Sequence, residues 1–222
     1  MDKIPEEQKR NVCFAGDLID RGPGSRQVVQ YVIDNGFDCV RGNHEQMMID
    51  WSGHYTDMLW LGNGGQECLN SYKETDDNEY LKGPIDKELF EKHRKWMGNL
   101  PVYLEYKGVL TPDGRHLIVS HSICHNQYKH LESDDEHKKT SAVNQIMWGR
   151  VFHSIKDAGF FNVIGHTPDE RNPQIKTIYA NIDTGAFIGY GGWTKYKKGG
   201  LGYLTALHVP TMTIYKQECI DK

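Results

Sequence analysis

The chain has 222 residues, enough for one domain, or a domain carrying an inserted subdomain, with a hydrophobic core of its own. Lysine and arginine total 26 against 30 aspartates and glutamates, and the formal charge of −4 excludes a bulk field for nucleic acid or an anionic membrane; any phosphate affinity has to be local. No apolar run approaches membrane-spanning length, residues 1–10 are too polar for a signal peptide, and five cysteines without close spacing read as free thiols in a reducing cytoplasm.

Residues 1–10 read as a helix end and a loop, with Pro5 as the stop. Residues 12–15 form a short apolar strand that runs into Gly16-Asp17-Leu18-Ile19-Asp20-Arg21-Gly22. Glycine allows a sharp turn at the strand end, so two carboxylates and a guanidinium leave the sheet edge together. That grouping suits a cation that itself holds a phosphate, although by itself it equally describes a tight turn with a local Asp–Arg ion pair. A helix capped by Ser25 follows, with Val28, Val29, Val32 and Ile33 on one face and Gly36 as its stop. A strand at 38–40 completes a strand–helix–strand unit, which favours parallel strands in an α/β sheet. It ends in Arg41-Gly42-Asn43-His44-Glu45, delivering an amide, an imidazole and a carboxylate.

Residues 46–100 read as a mostly helical insertion, with 52–65 as a loop and 86–98 as an amphipathic helix. His54 and His93 in this stretch follow no strand end and read as ordinary surface or interhelix residues. Strands at 102–106 and 116–120 flank the turn Thr111-Pro112-Asp113-Gly114, and the second ends in His121. Residues 125–140, strongly polar, read as an exposed loop, and 141–155 as a helix broken near Gly149. A strand at 161–164 delivers Gly165-His166-Thr167, and the runs at 176–183, 203–209 and 212–215 read as antiparallel strands. Four strand ends, each carrying oxygen or nitrogen ligands, read together as a metal site.

The order GDxxDRG, GNHE, a lone histidine after an apolar strand, then GHT resembles the calcineurin-like metallophosphoesterases. Residues 41–50 (RGNHEQMMID), Asn63-Gly64-Gly65, Met147-Trp148-Gly149-Arg150 and Ile182-Asp183-Thr184-Gly185-Ala186 resemble the phosphoprotein phosphatase branch, in particular the phage lambda-type serine/threonine protein phosphatases. The resemblance implies an α/β fold, a metallophosphoesterase-like sandwich of two mixed β-sheets flanked by helices, in a single domain over 1–222. It implies phosphoester hydrolysis by a metal-bound hydroxide, on phosphorylated proteins or small phosphoesters. Asp17, Asn43, His121 and His166 match metal ligands, Arg21 and Arg150 match phosphate-binding arginines, and His44 matches the general acid with Asp20 as its partner. Glu45 is assigned to support of the turn. Mixed oxygen and nitrogen ligands suit Mn²⁺, Fe or Zn²⁺ better than Ca²⁺, and the lambda-type resemblance favours Mn²⁺.

The resemblance also has a gap. The family opens with a strand ending in Asp-x-His, two ligands of the first of its two ions, and no such strand precedes Gly16 here. Asp135-Glu136-His137 follows no apolar strand and is no substitute. The expectation is therefore a chain lacking the first strand and helix, roughly 30 residues on the scale of a βαβ unit. Such a chain holds at most one ion well, has weak or no activity alone, and tends to self-association. A crippled relative that binds phosphorylated partners is the alternative function. A dinucleoside polyphosphate hydrolase is a lesser one, because that group often replaces the second aspartate of the first motif and Asp20 is present.

Overall fold

The computed structural model describes residues 4–8, 11–54, 58–73, 85–150, 154–196 and 199–220. Strand β1 (Cys13–Phe14) pairs in parallel with β2 (Asp38–Cys39), and helix α1 (Ser25–Asp34) crosses between them. Val29 and Val32 are buried on the inner face of α1, and Gly36, with φ +60°, supplies the left-handed residue that ends it. Ser25 is not the cap. Gly24 holds that position, and the buried Ser25 hydroxyl instead accepts from the Asp20 amide at 3.0 Å.

Helices α2 (Asn43–Asp50), α3 (Met58–Trp60), α4 (Gln66–Ser71) and α5 (Lys87–Gly98) make the described part of 46–100 mostly helical; residues 74–84 lie outside the described set. The expected loop at 52–65 is helical from Met58 onward, with a π-type turn at Leu61–Gly65. The reason is burial: Trp60 packs against Trp51 and Phe90 in a core shared with Val32, Met48, Tyr72 and Met97. Asp86 caps α5 by accepting from the Leu89 amide at 3.0 Å. His54 is exposed, and His93 is a buried interhelix residue that accepts from the Tyr72 hydroxyl and donates to Gln30.

The main sheet is mixed. Strands β3 (Tyr103–Leu110), β4 (His116–Ser120), β5 (Phe161–Ile164), β6 (Gln174–Ile175) and β7 (Tyr179–Asn181) take the spatial order β3-β4-β5-β7-β6. The two inner pairings, β4 with β5 and β5 with β7, are parallel. Strands β8 (Tyr203–His208) and β9 (Thr213–Glu218) form an antiparallel hairpin. The inner face of the main sheet, through Leu117, Val119, Phe161 and Val163, packs against Ala15, Val40, Leu207 and Val209 of the β1–β2 and β8–β9 side. The second layer of the expected sandwich is therefore present as two strand pairs, not hydrogen-bonded to each other among the described residues.

The outer face of the main sheet is covered by α6 (Tyr128–Leu131) and α7 (Glu136–Trp148), which bury Leu131, Ala142 and Ile146 against Ile118 and Phe160. Residues 125–140 are thus helical over Tyr128–Leu131 and from Glu136 onward rather than a loop, although residues 134–140 are exposed as expected. His125 is buried and stacked on Phe160 at 4.2 Å, and the Asp135 carboxylate accepts from the His137 amide at 3.0 Å, starting α7 before Ser141. The charges of this stretch form the solvated face of the helix. The helix ends at Trp148, and Gly149, whose ψ of 134° is extended, makes the break expected there; residues 151–153 lie outside the described set, and Ser154 lies in the left-handed region. All five cysteines are free thiols; Cys39, Cys68 and Cys124 are buried, and burial pushes Cys124 up to about 12.

Candidate metal centre

The C-terminal ends of β1, β2, β4 and β5 converge on one point, as strand ends of parallel α/β sheets do around ligands. The first two turns touch. A Cβ on Gly16 (φ +84°) would lie 2.7 Å from the Gly42 nitrogen, a contact only glycine permits. Glu45, fully buried, ties these turns together as its carboxylate accepts from the amides of Asp17 (2.8 Å), Leu18 (2.7 Å) and Gly42 (2.8 Å). The β4 and β5 ends are joined by the Gly165 amide donating to the His121 carbonyl at 3.0 Å. Asp17, Asp20, Arg21 and His166 all have positive φ, between 55° and 78°. Such conformations are costly for non-glycine residues and persist where surrounding bonds over-determine them.

Four atoms of the kind that can ligate a metal meet at this point. His121 Nε2 lies 3.0 Å from Asn43 Oδ1, 3.3 Å from Asp17 Oδ1 and 3.0 Å from His166 Nδ1, and His166 Nδ1 is 2.9 Å from Asn43 Oδ1. The tautomer of His121 is set by its other nitrogen, which donates to the Ala15 carbonyl at 2.7 Å and so directs Nε2 at the cluster. Acceptor atoms therefore face one another, an arrangement a dication resolves. Burial pushes the His121 imidazole down, but the Asp17 charge, the hydrogen bonds to Asp17 and the Ala15 carbonyl, and the Glu45 charge together outweigh it and carry the group up to about 9. Burial, with repulsion from His121 and Arg150, lowers His166 to about 3. Burial works against the Asp17 carboxylate, yet His121 and His44 hold it well below its usual range. Two oxygens and two imidazole nitrogens fit Mn²⁺, Fe or Zn²⁺.

Beside this cluster His44 Nδ1 donates to Asp20 Oδ2 at 2.5 Å, and Trp60 Nε1 donates to both Asp20 oxygens at 3.0 and 3.1 Å. His44 Nε2 is left facing the site, 4.0 Å from Asp17 Oδ2 and 2.8 Å from Arg21 Nη2, from which it accepts. Burial lowers the imidazole pKa, and the Asp17 and Asp20 carboxylates outweigh that effect and raise it. The Arg21 amide donates to the Gly64 carbonyl at 3.2 Å, and Nε donates to the Asn63 carbonyl at 3.3 Å. Gly64 (φ +107°) allows that approach; a Cβ there would lie 2.6 Å from Arg21 Cγ.

Asp17, Asn43, His121 and His166 are thus brought together, with Asp20, His44 and Arg21 joined in a chain beside them. Arg150 follows the Gly149 break, which is held by the Ser122 hydroxyl donating to the Gly149 carbonyl. It is exposed, and its charge reaches His166. Asp135 and His137 sit at the exposed start of α7, outside the cluster, and the histidine and carboxylate groups among the described residues that could hold an ion together are Asp17, His121 and His166. Sequence reasoning missed Trp60 as the partner of Asp20. The available signal was that a buried carboxylate needs a second donor and that an indole N–H needs an acceptor.

Residues 1–192 match the protein family described as calcineurin-like phosphoesterase. The chain is 31% identical over 188 residues to serine/threonine-protein phosphatase 1 of Salmonella typhimurium (strain LT2), covering 83% of this chain and 77% of that protein. It also resembles the crystal structure of a proposed diadenosine tetraphosphatase, with a TM-score of 0.56 and 18% identity over 93% of this chain and 79% of that one; at that identity the likeness concerns the fold.

Proposed function

The chain belongs to the calcineurin-like phosphoesterases, and on that premise we propose that it is a metal-dependent phosphomonoester hydrolase, with phosphoserine and phosphothreonine in proteins as its substrate class. The observation that carries the reading is the meeting of Asp17, Asn43, His121 and His166 within hydrogen-bonding range, next to the His44–Asp20 pair and Arg21. These four residues would hold Mn²⁺ by preference. A dication there supplies Lewis acidity, lowering the pKa of water toward neutrality and neutralising phosphate charge.

The protein's own groups do the rest. Arg21 and Arg150 take the phosphate oxygens, for which planar guanidinium groups are suited. When Arg21 Nη2 turns its N–H from His44 Nε2 to a phosphate oxygen, Nε2 takes up a proton from solvent and donates it to the leaving alkoxide, while Asp20 and Trp60 keep the ring in place. The single ligand group among the described residues favours one firmly held ion and slow turnover over two ions and fast turnover. Free, buried thiols are in keeping with a cytoplasmic setting.

The test is hydrolysis of p-nitrophenyl phosphate and of a phosphoserine peptide by the purified chain, with and without Mn²⁺. Phosphate release that depends on Mn²⁺ is expected. No release from either substrate at saturating Mn²⁺ would leave a phosphate-binding relative, and faster cleavage of diadenosine tetraphosphate would move the substrate class to dinucleotides.

A further inference from the structure

The Arg21 guanidinium is fixed within its own plane by two hydrogen bonds, Nε to the Asn63 carbonyl and Nη2 to His44 Nε2. Neither bond sets the tilt of that plane. The Phe187 ring lies against the guanidinium, with Arg21 Cζ 4.4 Å from its centroid. Phe187 is itself held on a rigid bracket. The Gly185 amide donates to Asp183 Oδ1 at 2.8 Å, Gly185 turns left-handed at φ +59°, the Thr184 hydroxyl donates to the Tyr203 carbonyl at 2.6 Å, and Ile188 is buried. Asn172 anchors the same segment by donating to the Asp183 carbonyl.

We propose that Phe187 is a positioning residue for phosphate recognition, holding the Arg21 guanidinium at the tilt in which its in-plane N–H groups meet two oxygens of one phosphate. The proposal rests on the phosphatase reading above. A fork of N–H donors binds two oxygens only when its plane contains both, so loss of tilt control weakens binding more than it slows the bond-breaking step. Stacking of a guanidinium on an aromatic face corresponds to an effect of roughly 3- to 30-fold on binding.

Phe187→Leu keeps apolar bulk and loses the aromatic face, whereas Phe187→Trp keeps the face. In Mn²⁺-supplemented protein, Phe187→Leu is expected to raise KM for p-nitrophenyl phosphate and the inhibition constant for inorganic phosphate together, by roughly 3- to 30-fold, with kcat changed less than about twofold. Phe187→Trp should stay within about twofold of the unsubstituted protein in both constants. In an Arg21→Ala background Phe187→Leu should add nothing further. Calorimetric titration with phosphate gives the same comparison without turnover. An unsubstituted protein that hydrolyses normally, beside a Phe187→Leu protein with unchanged phosphate affinity, would overturn this proposal alone. So would an effect that persists without Arg21. A protein that neither hydrolyses nor binds phosphate would overturn the phosphatase reading and this proposal with it.

Discussion

Replacing Glu45 by glutamine tests whether the metal site is built on a backbone brace. Glu45 Oε2 accepts from the Asp17 and Gly42 amides and Oε1 accepts from the Leu18 amide, all within 2.8 Å. Glutamine has one carbonyl oxygen. Placed at the Oε2 position it keeps two of these bonds in weaker, neutral form and sets an NH₂ group against the Leu18 amide. A buried donor left unpaired costs roughly 1–3 kcal/mol, and loss of charge assistance adds to this, so the substitution should cost about 2–4 kcal/mol. Glu45→Ala orphans all three amides, roughly 3–9 kcal/mol by addition, which rivals the 5–15 kcal/mol typical of a whole domain. The glutamine variant is therefore the informative one. Urea unfolding of the metal-free proteins gives the stability difference, and calorimetric titration with Mn²⁺ should show affinity roughly 10-fold lower or more, because the turn that carries Asp17 loses its anchor at Leu18 and keeps the other two bonds only in weaker form. A glutamine variant within about 0.5 kcal/mol of the unsubstituted protein, with the same Mn²⁺ affinity, would refute the role given to Glu45.

His44→Asn should leave Mn²⁺ binding nearly intact and lower turnover by roughly 10²-fold or more, with a smaller loss on nitrophenyl than on alkyl phosphates, because nitrophenolate leaves without a proton. Equal losses on both substrates would count against a proton-donor role. Arg150→Ala should weaken inhibition by inorganic phosphate while leaving bound metal unchanged, whereas unchanged inhibition would make Arg150 a solvated surface residue. In the metal-free chain, burial lowers His121, but the charge and hydrogen bond of Asp17, with the Ala15 carbonyl and Glu45, together raise it to about 9 from its ordinary 6.5. A raised imidazole contributes stability that is complete below pH about 6.5 and is lost as pH rises through about 9, so thermal unfolding should shift downward between pH 7 and 9. With saturating Mn²⁺ the trend should reverse in the same window, since the ion binds the unprotonated nitrogen.

The convergence of Asp17, Asn43, His121 and His166 was legible because each sits where a local signal ends. The apolar runs before Asp17, His121 and His166, and the glycines at positions 16, 42 and 165, mark strand-to-turn junctions without knowledge of the rest of the chain. The parallel β1–α1–β2 unit was readable for the same reason. What escaped was carried by contacts distant in sequence. Trp60 sits in a segment rich in glycine and polar groups, and its helical turn is stabilised by Trp51, Phe90 and Asp20 rather than by local propensity. The first turns of α7 are polar and charged, with apolar periodicity confined to Ala142, Ile146 and Met147, so the Asp135 cap was the only local clue. Ser25 looked like a helix cap, but tertiary context gave its hydroxyl to the Asp20 amide, in support of the site itself. The left-handed conformations of Asp17, Asp20, Arg21 and His166 also had no sequence signature, because non-glycine residues adopt them only under constraint from the fold.

The most direct test of the central claim is the Mn²⁺ content of the purified chain after dialysis, measured beside a His121→Ala variant. One firmly held ion per chain, lost in the variant, is the result predicted from the convergence of Asp17, Asn43, His121 and His166. Two firmly held ions per chain, or one ion retained without His121, would contradict it.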